Sequence, residues 1–490
     1  MIWRIKAAHR PARSRICSLM SQLGGIHGPM RQSRFWKRAK TMMGVGADNS
    51  ICGNPEGRAV ILACPPRRMR GALLGCIFTV AISHPLLTHA DADAGAGNQT
   101  SGPPMFSFAG FGTLGVVHSS EDNAEFTGSE FSPTGAGYGH SWSAAVDSLV
   151  GAQVTANLTS KLSAVLQVIS EQNYDHTYTP HVEWANLKYQ FTPDFDVRIG
   201  RTALPVFMLT DTRNIGYASP WVRLPVELYE LVGVTSNDGV DGSYRMRVGA
   251  GTNTVQLTAG GSDTRFPSSD GPGDVHARGL RVINDTFEAG FATVRLTYGR
   301  ARVTIADIEP LINAFREFGP QGVSIANKYD VDNRLVNFIG MGMGYDPGKW
   351  FVMGEIGHFA TNSLVGDNTG WYVSGGPRLG KFTPYVTYAA RKVESNRSDP
   401  GLTVAALPPY LAGEATELNA TLNAKLQSIA VQHTVSTGAR WDFMKDLDFK
   451  LQVDHTKNGA GSPGTLLDPQ PGFKPGGTVN LISATLDFVF

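Results

Sequence analysis

Cysteine is missing from most of this chain: the four it has, Cys17, Cys52, Cys64 and Cys76, all lie near the N-terminus. A chain processed after residue 90 would carry none, which excludes disulfides and thiolate metal sites as its source of stability. Long apolar runs are also missing. No stretch beyond residue 90 has the roughly 18 consecutive apolar residues of a membrane helix. No glycine-rich loop leads into a helix to cradle a phosphate, because the 56 glycines are scattered along the chain. His176 and His181 lie near Asp175, but their spacing fits no zinc pattern, so no metal or other cofactor is indicated.

The first part of the chain differs from the rest. Up to Arg70 there are 14 Lys and Arg against two acids, Asp48 and Glu56, with no sustained period. A secretion-signal pattern follows. Arg67, Arg68 and Arg70 form a basic start, Gly71 to Ile82 is a short apolar run, and small residues around Ala90 offer cleavage sites. Met69 sits just ahead of it. This predicts that 1–68 is an over-extended or spurious start, 69–90 a signal peptide, 91–104 a short lead, and 105–490 the folded body. The lipobox-like strings ending at Cys64 and Cys76 are not preceded by an apolar run of the needed length, which argues against a lipid anchor. Removing 1–90 takes Lys+Arg from 43 to 29 and Asp+Glu from 42 to 40, a balance of −11 that argues against nucleic acid as a partner.

From Met105 onward the chain alternates between strand-like runs, very short turns and long polar connections. The last stretch is typical. Ile482, Ala484, Leu486, Phe488 and Phe490 share one face, with Ser483, Thr485 and Asp487 on the other. Counting such runs gives sixteen strands joined by seven short turns and eight long connections. That regular alternation predicts an all-β, sixteen-stranded antiparallel transmembrane β-barrel with short periplasmic turns and long external loops. A soluble all-β fold has no reason to put its long loops on one side. Aromatics beside the short turns, among them Tyr189, Phe191, Tyr345, Trp350, Trp441 and Phe490, mark a girdle at one membrane interface. The glycines Gly340, Gly342 and Gly344 blur the faces of the strand at 331–345. The runs 309–318 and 412–429 have helical character and are expected to pack on the barrel rim.

Charges on the inward parity are the candidates for selecting solutes. They are Lys188, Arg198, Arg245, Arg247, Arg281, Arg295, Arg378, Arg391, Arg440 and Lys450, with fewer acids, Asp196, Asp241, Asp442, Asp448 and Asp454. Glu183 and Lys392 fall on the outward parity, near interfaces. The connection 204–238 is too apolar for a solvated loop and must be buried. Folded into the lumen, it would present Asp211, Arg213, Arg223, Glu227 and Glu230 as a constriction; packed outside, Tyr217 and Trp221 would suit a subunit interface.

Gly200-Arg201, Pro205, Gly216-Tyr217, Pro220-Trp221-Val222-Arg223, Pro225, the Gly239 to Gly242 segment and the terminal Phe490 resemble the Gram-negative outer-membrane porins over about 100–490. The resemblance implies sixteen strands, usual trimerisation, a loop folded into the channel, and acids of that loop facing an arginine cluster. It is carried over to 204–238 and its rim, with Arg201 included there although its parity is outward. The Pro-Glu-Phe-Gly-Gly string of the classical general porins is absent. The expectation is therefore a non-enzymatic, cofactor-free channel of the Gram-negative outer membrane for small hydrophilic solutes, with a lean to anions. Its partners would be membrane lipid and two further copies in a homotrimer. The alternatives are a substrate-specific channel or a lipase-like barrel enzyme. A plugged transporter is disfavoured because no globular domain fits between 91 and 104. Phe490 is expected to serve assembly.

Overall fold

The computed structural model describes residues 104–268 and 272–490, so the boundaries expected at 68 and 90 lie outside the described residues. Sixteen wall strands follow in chain order. They are β1 (Phe106–Ser119), β2 (Leu149–Asn157), β3 (Leu162–Ser170), β4 (His181–Thr192), β5 (Phe195–Ala203), β6 (Ser236–Val248), β7 (Gly251–Phe266) and β8 (Gly273–Ala289). The second half comprises β9 (Ala292–Ile305), β10 (Arg334–Tyr345), β11 (Trp350–Ala360), β12 (Asn368–Pro377), β13 (Phe382–Val393), β14 (Gln432–Met444), β15 (Leu447–Asn458) and β16 (Thr478–Val489). Each pairs antiparallel with its neighbour. The short strand Trp142–Ser143 adds to the edge of β1 and brings the sheet to 17 members.

The sheet closes because β16 returns to β1. The register runs from Phe111 opposite Val489 to Ser119 opposite Leu481, and Gly110 and Phe490 exchange backbone hydrogen bonds of 2.8 and 2.9 Å. Hydrocarbon offers no partner to a free strand edge, and closure leaves the wall without one. The outward face is apolar, with Leu114, Leu166, Leu187, Ile199, Leu257, Ile283, Ile339 and Ile482 exposed. Aromatic pairs ring the turn side: Tyr189 with Phe191, Tyr345 with Trp350, and Phe382 stacked on Trp441 at 5.6 Å. This is the exterior of a membrane-spanning barrel.

The irregularities of the closing strand have a cause. Val479 and Leu481, apolar on the wet parity, turn inward at the external end and join Val117, Phe126 and Leu466 in a small core beneath a three-stranded sheet of 125–126, 136–137 and 466–467. At the other end the rings of Phe488 and Phe490 lie over Gly112 and Gly110, where any Cβ would overlap them. Two external loops build a second satellite. Helices α2 (Glu309–Arg316) and α3 (Gly319–Tyr329), from the loop after β9, pack Ile312, Phe315 and Ile325 against Leu422 and Leu426 of α4 (Pro409–Ser428), from the loop after β13. Gly319-Pro320 restarts the chain as α3, a helix the sequence pattern did not announce.

Asp399 ties this cap together. Its carboxylate accepts Lys328 Nζ at 2.6 Å and Tyr329 Oη at 2.7 Å. Burial alone would raise its pKa, but these bonds and one from the Gly401 N–H hold it below the ordinary 3.8. A carboxyl depressed in the folded state stabilises above its unfolded pKa and loses that contribution as pH falls through the folded value. The cap is therefore expected to loosen as pH drops below about 4, read as faster acid proteolysis within 409–428, and Asp399→Asn should abolish the pH step. At the seam, Gly110→Val should lower barrel stability by about 1–3 kcal/mol through overpacking. Urea unfolding of the refolded barrel measures this, and an unchanged midpoint would remove the ring-over-glycine contact from the account of closure.

Candidate functional site

The connection between β5 and β6 folds into the barrel because nothing else could cover its apolar side chains. Leu204, Val206, Phe207, Trp221, Leu228, Tyr229 and Leu231 are buried against the inner faces of β8 to β13, on Ala277, Leu280, Val282, Phe338, Phe351, Tyr372, Tyr385 and Ala389. That half of the inner wall is apolar where the loop leans on it. The glycines that blurred β10 form part of the seat: Gly342 leaves room for the Met208 side chain.

Polar anchors then fix the loop around its course. Arg295 donates to the Phe207 carbonyl at 2.7 Å. Glu355 accepts the Met208 N–H at 2.7 Å, Tyr229 Oη at 2.6 Å and Tyr372 Oη at 2.9 Å. The Trp221 indole N–H donates to Ser374 Oγ at 2.9 Å and Thr387 Oγ1 at 3.0 Å, and the Val222 N–H to Gln452 Oε1 at 3.1 Å. Arg223 bridges Asp147 at 2.7 Å and Asp454 at 3.0 Å. Glu227, on the short helix α1 (Val226–Tyr229), accepts Gln432 Nε2 at 2.8 Å and the Thr434 hydroxyl. Arg440 donates to the carbonyls of Tyr217 and Ser219.

Gly216 docks at the seam itself. Lys450 Nζ donates to its carbonyl at 2.6 Å and pairs with Asp487 at 2.9 Å, and Thr113 Oγ1 donates to Asp487. A Cβ at 216 would overlap the Asp487 carboxylate, so only glycine permits this approach.

The inner face of β2 to β7 is polar. Gln167 donates to Gln153, Lys188 pairs with Asp196 at 3.1 Å, and Arg198 with Asp241 at 2.7 Å, while Gln256 and Thr258 also donate to Asp241. Arg245 and Arg247 are exposed on the same inward parity. A recess of about 230 Å³ opens among Lys188, Gln190, Asp196, Ser243, Arg245 and Thr254 toward the turn side. On the loop, Asp211 is exposed, Arg213 approaches Glu230 to 3.9 Å, and Asn214 donates to Glu183 at 3.2 Å.

Several expected positions are corrected. Arg201 lies on the outward face, paired with Asp238 at 2.6 Å, and is no part of the lumen. Arg281 also points outward: a bulge between Arg278 and Arg281 lets Leu280 and Val282 take the inward places. Glu183 moves the other way, because the register shift between Gln167 and Val168 turns it inward to the loop. Glu227, Glu230, Arg223 and Arg440 are anchors with little exposure rather than groups lining open water. Arg378 sits past the end of β12, paired with Asp346. Asp147, Glu355 and Asp487 were not singled out for the site. Parity places Glu355 and Asp487 inward, but nothing in the sequence tells which loop atoms they meet.

The strand pairing and apolar exterior define the class: a closed sixteen-stranded transmembrane β-barrel with a loop folded into its lumen. No protein-family model and no curated protein matches the chain. Among solved structures, it is similar to the outer-membrane channel DcaP of Acinetobacter baumannii, at 10% identity and TM-score 0.47, covering 79% of this chain and 97% of that one. It is also similar to OmpF of Salmonella typhi in complex with daunomycin, at 12% identity and TM-score 0.43, covering 79% and 97%. A third is a loop-deletion mutant of OmpT, an outer membrane protein of Vibrio cholerae, at 9% identity and TM-score 0.43, covering 79% and 100%. The assignment of the barrel rests on this chain's own strand register.

If Trp221 is the wedge that holds the loop on the wall, Trp221→Ala should cost about 3–5 kcal/mol and raise single-channel conductance as the loop loosens. A destabilised barrel with unchanged conductance would show that the polar anchors suffice.

Proposed function

We propose that the protein is a porin of the Gram-negative outer membrane, a water-filled channel for passive diffusion of small hydrophilic solutes. One observation carries the reading. The infolded loop occupies the half of the lumen lined by β8 to β13, and the inner faces of β2 to β7 remain polar and charged. A narrow wet path with fixed charges sorts solutes by charge. The apolar exterior with its aromatic girdle supports a membrane setting, and the even strand count with short turns on one side supports the outer membrane. Assembly as a homotrimer belongs to this reading through the resemblance of the loop and closing strand to porins.

The electrostatics of the path lean to anions. Asp196 and Asp241 are matched by Lys188 and Arg198, whereas Arg245 and Arg247 form no ion pair among the described residues. Planar-bilayer recording should show stepwise conductance, with a reversal potential in a KCl gradient on the chloride side. Arg245→Gln with Arg247→Gln should move it toward zero. Absence of stepwise conductance would reject the channel, and a cation-selective wild type would reject the charge assignment while leaving the channel intact.

A further inference from the structure

The outward face of β8 and β9 carries a group of charges that the lumen does not use. Arg281 stands directly opposite Arg300, and one step toward the external side Arg278 stands opposite Arg302. All four are exposed, and they share the outward parity with the lipid-facing Ile283, Leu296 and Tyr298. Like charges placed opposite each other across a strand pair are destabilising. Arg278 is partly compensated by Asp263 at 2.6 Å, and Arg302 donates to the Asn333 carbonyl at 3.0 Å. Arg281 and Arg300 make no ion pair or side-chain hydrogen bond among the described residues.

Their depth is informative. Phe291 marks the turn-side girdle, and nine residues separate it from Arg300. That is about 30 Å of strand, or about 21 Å of height at a 45° tilt, close to the roughly 25 Å apolar band of such barrels. Leu257, Ile283, Tyr298 and Ile339 stand side by side in one exposed row across four strands just below the arginines, and the carboxylate of Asp285, one step further down beside Leu296, accepts from Asn253. The patch is amphipathic in the order a lipid needs, with chain contacts in the band and guanidinium groups at its upper edge. Arginine forks match phosphate oxygens two at a time, and a phosphate between Arg281 and Arg300 would supply the counter-charge that the protein does not.

From this we infer that Arg281 and Arg300, flanked by Arg278 and Arg302, form a docking site for the phosphate-bearing headgroup of a membrane lipid at the external interface. The inference rests on the membrane placement proposed above but not on ion selectivity.

The test is native mass spectrometry of the purified full-length barrel in detergent, titrated separately with phosphatidylglycerol, phosphatidylcholine of the same chains, and inorganic phosphate. Wild type should retain phosphatidylglycerol in preference to phosphatidylcholine. Arg281→Gln with Arg300→Gln should weaken that retention about a hundredfold, the loss of two charge-assisted contacts at about tenfold each, and leave bilayer conductance unchanged. The same substitutions at Arg245 and Arg247 should leave lipid retention as in wild type. Equal retention by wild type and the Arg281/Arg300 variant overturns the site, as does displacement of phosphatidylglycerol by equimolar inorganic phosphate, which would make the patch a soluble-anion site. Loss of conductance in wild type would instead strike at the channel reading. Should the double variant fail to fold, Arg300→Gln alone, which removes one fork, is expected to show a partial loss, and retention equal to wild type there is equally fatal.

Discussion

Hydrogen bonding of the backbone in a medium that offers no partner is the constraint from which this architecture follows. A strand edge in hydrocarbon has nowhere to place its N–H and C=O groups, so β16 must find β1, and the chain must supply an even number of strands for its ends to meet on one side. The register from Phe111–Val489 to Ser119–Leu481 satisfies that requirement. The glycines beneath Phe488 and Phe490 are part of it, since they let the last two aromatics lie flat over the seam.

Closure at sixteen strands creates a second demand, because a lumen this wide does not fill itself. The connection after β5 answers it in two chemistries. On β8 to β13 it meets an apolar inner wall, and farther round it meets hydroxyls, amides and charges. Several wall cations are thereby withdrawn from the aqueous path. Arg295, Arg391, Arg440 and Lys450 all donate to loop carbonyls. A tally of inward charges therefore overstates the charge left open to the lumen, where Arg245 and Arg247 of β6 remain exposed.

The wall was legible in the sequence because period-two alternation and turn chemistry are local signals. All sixteen strands, their long and short connections and the closing role of the last strand follow from them. The misplacements of Arg281 and Glu183 have one origin. A bulge shifts parity by one, and neither the bulge before Arg281 nor the one beside Glu183 leaves a mark that alternation can detect. Gly279, with φ +57°, is the sole local hint at the first. The site was less legible. Parity assigns a side chain to the inside, but whether it touches water or a loop backbone depends on the path of some thirty residues with no periodicity. Hence Glu227 and Arg223 read as pore groups and are anchors. The glycine run in β10, a blemish to pattern reading, is a seat for Met208.

The way the loop is held also bears on which of its residues are open to substitution. The wall cations grip main-chain oxygens of Phe207, Gly216, Tyr217, Ser219 and Glu230, and those atoms are present whatever side chain the loop carries. Part of the loop's position is thus encoded in main-chain atoms, beside the side-chain anchors Trp221, Arg223 and Glu227. Substitutions at exposed loop residues such as Asp211 can therefore change the charge the loop presents without dislodging the segment that carries it.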